Sequence, residues 1–300
     1  MDDTQGILLE SGTNEIEIVE FGIGESRFGI NVIKVKEIIN PAPVTAVPQT
    51  HDHIEGIMEL RGEILPVVNI PTVLGLPASE NPQQDKFIVA EFNKQKAVFH
   101  VHTVTQIHRI SWSQIEKPSE MYQGLDSQIT GVIKLNGDMI LLLDYEKIIT
   151  DINPESGINI NQIHTLGKRE RSDKCLLVAE DSPLLRQLLQ ETLSEAGYER
   201  VQFFENGLDA ISYLEEKAEN GNILDHIQLV ITDIEMPKMD GHHLTRKIKE
   251  NAQLSTLPVI IFSSLITNDL RHKGIGVGAD AQISKPDIAE LVLEIDQLVK

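Results

Sequence analysis

The sequence predicts two domains of different class, an all-β domain followed by an α/β domain with a doubly wound, five-stranded parallel sheet. Three observations predict this. A hairpin-like stretch of the first half recurs 75 residues later. From Asp173 onward, apolar runs rich in β-branched residues alternate with helical patterns. Between the two, residues 150–172 are polar and turn-prone and close on the charged run Lys168–Arg171. The limits expected are 14–150, a linker over 151–172, and 173–300. A length of 300 residues suits two domains of ordinary size.

Strand signals begin at Glu15, where Glu15–Phe21 alternates apolar and polar positions. Gly22–Ser26 reads as a turn and Arg27–Val35 as extended. Pro41, Pro43 and Pro48 argue against regular structure in their neighbourhood. The repeat comes next. Gly56–Asn69, with Leu60-Arg61-Gly62-Glu63 at its centre, matches Gly131–Asp144, with Leu135-Asn136-Gly137-Asp138. Upstream, Val32-x-x-Val35-x-Glu37-Ile38 matches Val101-x-x-Val104-x-Gln106-Ile107 at an offset of 69. One copy is too small to bury enough apolar surface, so two like units should pack together around a shared core.

The repeat singles out Arg61. Asn-Gly is the favoured pair for a two-residue hairpin turn with positive φ at both positions. Arg at positive φ is disfavoured, so a turn that holds Arg61 where its sister holds Asn136 either keeps it for its side chain or carries a solvated Arg of no consequence. Two histidine pairs, His51/His53 and His100/His102, are spaced i, i+2. On a strand each pair would share a face. No further ligand cluster lies near either, so metal binding there is not the expectation.

The pattern Phe28-Gly29-Ile30-x-Val32-x-x-Val35-x-Glu37-Ile38-Ile39, then Pro48, then Leu60–Asn69, resembles the CheW family of chemotaxis coupling proteins over residues 14–150. That resemblance implies two linked five-stranded β barrels. It also implies a scaffold joining the cytoplasmic tips of chemoreceptors to the histidine kinase CheA, with Arg61 on the partner-binding surface.

In the second half, strands read at Cys175–Ala179, Val201–Phe204, Gln228–Thr232, Pro258–Phe262 and Ala281–Ser284. Helices read near Pro183–Ala196, Leu208–Glu219, His242–Asn251, Asp269–Gly274 and Ile288–Leu298. Ser182-Pro183 is a good helix start, an N-cap followed by Pro at the first helical position. The stretch Leu229–Gly241 organises the rest. Its apolar run ends on Asp233, and a Met-Pro turn and Asp240-Gly241 follow at once. Strands of open α/β sheets place their chemistry at their C-terminal ends. The first strand ends in Glu180-Asp181, the third in Asp233, the fourth in Ser263-Ser264 and the fifth in Lys285-Pro286. In order 2-1-3-4-5 these ends surround one crevice. Three carboxylates packed together repel, so a divalent cation is expected among them. Mg²⁺ suits oxygen ligands from Asp181, Asp233, a backbone carbonyl and waters. Asp233 would then be the nucleophile toward a phosphoryl group, with Lys285 neutralising charge and Ser263 bonding a phosphoryl oxygen.

These residues resemble the receiver domains of two-component response regulators over roughly 174–300. The resemblance implies phosphorylation at Asp233, metal ligation by Glu180 and Asp181, a further ligand in the backbone carbonyl of Glu235, and a cis peptide before Pro286. It departs at Gln282, where receivers usually carry an aromatic switch residue. Together the halves resemble CheV-type chemotaxis proteins, a coupling scaffold rather than an enzyme, in which phosphorylation serves adaptation, drains phosphoryl groups from the kinase, or both. A scaffold in another kinase pathway is the alternative. An aspartyl-phosphate phosphatase fits less well, since it would want Asp-x-Asp where the chain has Asp233-Ile-Glu235.

Bulk properties narrow the classes further. Net charge is −20 and is shared evenly, so nucleic acid and anionic membrane surfaces are disfavoured as partners. A transcription regulator would need a DNA-reading module, which neither acidic half offers. Aromatic residues are 4% of the chain, so the cores should be aliphatic. Cys175, the single cysteine, excludes an internal disulfide and reads as a small buried hydrophobe. No segment approaches the ~20 apolar residues of a membrane span, so a cytoplasmic protein is expected.

Overall fold

The computed structural model describes residues 14–92, 95–117, 128–135, 137–154, 167, 169–264, 268–285 and 287–299. These fall into two compact units. The first contains β1 (Glu15–Ile23), β2 (Ser26–Asn31), β3 (Val35–Ile39), β4 (Ile54–Leu60), β5 (Glu63–Asn69) and the short helix α1 (Ile70–Val73). It continues with β6 (Lys86–Phe92), β7 (Gln95–Val101), β8 (Thr103–Ser111), β9 (Ile115–Glu116), β10 (Ile129–Leu135), β11 (Asp138–Leu143) and helix α2 (Tyr145–Ile152).

The repeat governs this unit to the level of register. Ile54 pairs with Val68 in the first hairpin and Ile129 with Leu143 in the second, each 75 residues on, and both ladders shift register at a glycine, Gly56 and Gly131. Asn69 caps α1 by accepting from Thr72 N–H at 2.9 Å, and its counterpart Asp144 caps α2 by accepting from Lys147 N–H at 2.8 Å. The two copies nevertheless do not pack as separate units. The sheet orders are β8-β1-β2-β11-β10-β9 and β3-β6-β7-β5-β4. Apart from the short β9, each sheet therefore takes two strands from one copy and three from the other. The exchange explains the shared core, which joins Phe21 and Ile30 of one sheet to Phe92, Phe99 and Val101 of the other and to Tyr145 and Ile148 of α2. Where two linked five-stranded barrels are expected, the two sheets differ in strand number. The first has six, because Ile115–Glu116 pairs with Ile133 and Val132 at its edge.

Leu60 pairs with Glu63, so Arg61-Gly62 is the two-residue turn the repeat implied. Arg61 takes φ 52° and Gly62 φ 85°. Asn136, the sister position, lies outside the described residues. His51 and His53 sit in the turn before β4 and not on a strand. His100 on β7 is held between carboxylates, with Nδ1 at 2.8 Å from Glu55 and Nε2 at 2.9 Å from Asp85.

The second unit contains β12 (Ser172–Ala179), α3 (Pro183–Glu195), β13 (Tyr198–Phe204), α4 (Gly207–Glu219), β14 (Leu229–Thr232), α5 (Gly241–Glu250), β15 (Val259–Ser263), α6 (Asn268–Gly276), β16 (Ala281–Ser284) and α7 (Ile288–Leu298). All pairings are parallel, in order β13-β12-β14-β15-β16, the doubly wound 2-1-3-4-5 arrangement. The three inner strands, β12, β14 and β15, are buried on both faces. Leu177 and Val230 meet α4 and α5 residues on one side, and Leu176, Ile231 and Ile260 meet α3 and α7 residues on the other. Continuous β-branched runs follow from burial on both sides. Cys175 is buried in the first of these layers.

Burial pulls the His100 pKa down, but the Glu55 and Asp85 carboxylates outweigh it and hold the imidazole above its ordinary value. A raised folded-state pKa means that this clasp stabilises the fold fully below about pH 6.5 and is lost as pH rises through the higher folded value. An NMR titration of the His100 ring should give a midpoint above 6.5, and Glu55→Gln should lower it. A wild-type midpoint at or below 6.5 would contradict the clasp.

Candidate functional site

The site lies at the C-terminal edge of the parallel sheet. Three strands deliver its side chains, and each hands over within a residue or two of its last ladder bond. Asp233 follows β14, and its N–H still donates to the Ala179 carbonyl at 2.9 Å. Glu180 follows β12, and its N–H donates to Phe204 at 2.9 Å. Lys285 follows β16, with its N–H on the Ser263 carbonyl at 3.0 Å. The rigid sheet thus fixes the backbone immediately behind every group of the cluster.

Lys285 is the centre. Its Nζ donates to Glu180 Oε2 at 2.8 Å and to Asp233 Oδ2 at 3.1 Å. All three residues are buried: Lys285 is 1% exposed, Glu180 2% and Asp233 6%. The second oxygen of each carboxylate accepts a backbone N–H, from Ser182 at 3.1 Å and from Ile234 at 2.6 Å. Desolvating these charges is costly, and such complete pairing is what offsets the cost. Asp181 is less buried, and a carboxylate oxygen of each of Glu180, Asp181 and Asp233 lies within 4.8 Å of the others. No other group among the described residues could hold a metal in this way.

The donor set fits a hard divalent cation. It consists of carboxylate oxygens, and three carboxylates against one ammonium leave a formal charge of −2 at the sheet edge. A soft or thiolate-seeking metal has nothing to bind here. Ser263 ends β15, beside β14, and is fully buried. Glu235 lies two residues past Asp233 in the turn leading to α5. The expected cis peptide involves Pro286, which lies outside the described residues. Gln282 on β16 donates Nε2–H to the Arg271 carbonyl of α6 at 2.9 Å, and its amide occupies the space beside Gly274 that any Cβ would need.

Two further constraints hold the turn after Asp233. Asp240 caps α5 by accepting from His243 N–H at 2.7 Å, and burial pushes its carboxyl up to about 6. Gly241 packs so tightly that a Cβ would collide with the Asp233 carbonyl oxygen. The glycine of Asp-Gly is therefore required by close approach to Asp233 and not by a turn angle.

In the first unit, the Arg61 side chain is 78% exposed and bonds Glu37 at 2.9 Å. A surface pair of this kind contributes at most about 1 kcal/mol and does not explain an Arg at positive φ. Sequence reasoning missed the apolar part of this surface. The large aliphatic residues left exposed among the described residues of the unit are Ile38, Ile64, Ile107 and Met139. They are two positions taken twice, Ile38 with Ile107 and Ile64 with Met139, at the repeat offsets of 69 and 75. Comparing the polar faces of the two copies would have found them. Their shared exposure follows from the shared register of the two copies.

Residues 17–153 match the model of the CheW-like domain, and residues 176–296 match that of the response regulator receiver domain. Chemotaxis protein CheV3 of Helicobacter pylori is 31% identical over 301 residues, spanning 95% of both chains. Chemotaxis protein CheW of Thermotoga maritima is 29% identical over 150 residues, which cover 50% of this chain and 98% of that protein. The scaffolding protein TtCheW from Thermoanaerobacter tengcongensis is 28% identical with a TM-score of 0.41, covering 43% of this chain and 88% of that structure.

Removing Lys285 would strand two buried carboxylates. Lys285→Met should cost about 3–5 kcal/mol at neutral pH, read from urea unfolding of the helical circular dichroism signal. On an Asp233→Asn background the same change should cost less, because one of the stranded charges is gone. Equal costs in the two backgrounds would show that Lys285 and Asp233 are not coupled.

Proposed function

This chain belongs to the CheV-type chemotaxis proteins, a coupling scaffold joined to a receiver domain, and from that premise we propose that phosphorylation of Asp233 modulates its coupling of chemoreceptor tips to the histidine kinase CheA. The observation that carries this reading is the convergence of Glu180, Asp181 and Asp233 around Lys285. In our reading the coupling domain is 14–150, the linker 151–172 and the receiver 173–300, and the protein works in the cytoplasm. Among the described residues no helix is long and apolar enough to cross a membrane.

The reaction is transfer of a phosphoryl group from a phosphohistidine of the kinase. The N–P bond breaks as a bond forms between phosphorus and a carboxylate oxygen of Asp233. The histidine nitrogen keeps the electron pair and takes up a proton. A Mg²⁺ held by Asp181, Asp233 and the Glu235 carbonyl, with Glu180 beside it, would neutralise and orient the phosphoryl oxygens. Lys285 turns its ammonium from Asp233 Oδ2 to a phosphoryl oxygen, and the Ser263 hydroxyl donates to another. The Lys285 ammonium and the Ser263 hydroxyl thus gain new acceptors, and the second of these bonds draws the end of β15 toward Asp233. Gln282 ties β16 to α6 with an amide where receivers usually use an aromatic, so the response of this face runs through a hydrogen bond.

On the coupling domain, Arg61 is the partner-binding residue of this reading. Its support is conformational: a residue disfavoured at φ 52° stands at an exposed turn tip without a structural gain that requires it.

Incubation with radiolabelled phospho-CheA and Mg²⁺ should move label to the chain, and Asp233→Ala should abolish it. Label that never moves, or that still moves to the Ala variant, would refute the assignment. Arg61→Asn installs the residue of the sister hairpin. It should leave stability within about 0.5 kcal/mol of wild type, the relieved turn offsetting the lost Glu37 pair, yet lose assembly with receptor and kinase in a pull-down. Unchanged assembly would remove Arg61 from the contact surface.

A further inference from the structure

We propose that Arg186 is a positioning residue for the acidic site, holding the Glu180–Asp181 backbone so that both carboxylates face Asp233. The inference rests on the reading of that site as a divalent-cation centre. Glu180 and Asp181 lie at the handover from β12 to α3. The strand has made its last ladder bond at Glu180 N–H, and the first helical bond of α3 runs from Arg186 N–H to the Ser182 carbonyl at 2.9 Å. The carbonyls of Glu180 and Asp181 therefore precede the first intrahelical acceptor, and such groups need partners from outside the helix.

Arg186 supplies them. Its Nη1 donates to the Glu180 carbonyl at 2.8 Å and to the Asp181 carbonyl at 2.9 Å, spending both hydrogens of one nitrogen on two successive residues. Nη2 donates to Glu205 at 3.0 Å, just past the end of β13. The side chain is 18% exposed, so the guanidinium is largely shielded from competing water. One planar group thus joins the end of β12, the first turn of α3 and the end of β13. Two carbonyls aimed at one point fix the peptide between them, and that peptide sets the direction of the Asp181 side chain. Lysine cannot reproduce this, since its single ammonium cannot present a fork to two carbonyls and a carboxylate in one plane. The same positive charge stands close behind a pocket of formal charge −2 and lowers the repulsion among its acids.

Outer groups that orient metal ligands typically change affinity by about 10–100-fold when removed. The test is Mg²⁺ titration of the full-length protein by calorimetry, with thermal unfolding in metal-free buffer alongside. Arg186→Gln should raise the Mg²⁺ dissociation constant roughly 10–100-fold. Arg186→Lys should recover part of the loss. Glu205→Gln, which keeps both carbonyl bonds but frees the far end of the guanidinium, should fall between wild type and Arg186→Gln. A merely structural role predicts instead a lower metal-free unfolding temperature with an unchanged dissociation constant. If the wild type binds Mg²⁺ and both Arg186 variants bind it within twofold of wild type, the positioning role is overturned. If the wild type itself binds none, the cation reading falls, and this inference with it.

Discussion

The second unit depends on a lysine ammonium buried between two carboxylates. Lys285, Glu180 and Asp233 come from the ends of β16, β12 and β14, and none of them could be buried alone without a large desolvation cost. Pairing removes most of that cost but not all the charge. Asp181 adds a third carboxylate within 4.8 Å, and the cluster keeps a formal excess of two negative charges. That excess is the physical origin of the site's chemistry. It favours a divalent cation, and a bound cation in turn makes a phosphoryl group a tolerable neighbour for Asp233.

The first unit solves a different problem, that of building a large core from two short similar sequences. Exchanging strands gives each sheet members of both copies, so the two copies share one core. A consequence is approximate symmetry at the surface. Positions that one hairpin leaves exposed are exposed in its sister, as Ile64 and Met139 are. Symmetry breaks at Arg61, where a side chain with no packing role stands at a turn that Asn would make more comfortably. In a scaffold, such a break is where a specific contact is to be sought.

Much of this was legible in the sequence, and the reasons differ by element. The parallel strands were visible because burial on both faces demands unbroken apolar runs, and their order brought Glu180, Asp233, Ser263 and Lys285 to one edge. The hairpins were visible because turn residues and apolar alternation recur at a fixed offset. The exchange of strands between copies was not legible, since pairing partners leave no local mark on composition. The sixth strand was missed because Ile115–Glu116 is two residues long and has no periodicity to detect. The spacing of His51 and His53 would put both rings on one face only if they lay on a strand, and they lie in a turn; spacing alone cannot tell the two apart. Arg186 escaped notice because an arginine one turn into an amphipathic helix looks like any solvated charge, and only its two carbonyl acceptors distinguish it.

The central claim is that the charge excess at this sheet edge selects a divalent cation there in preference to the other acidic surfaces among the described residues. Paramagnetic broadening of amide resonances by substoichiometric Mn²⁺, a Mg²⁺ surrogate for oxygen ligands, tests it most directly. The account predicts broadening confined to the amides around Asp181–Ser182, Asp233–Glu235, Ser263 and Lys285, reversed by excess Mg²⁺. Diffuse broadening over other acidic surfaces, with those amides left sharp, would contradict it.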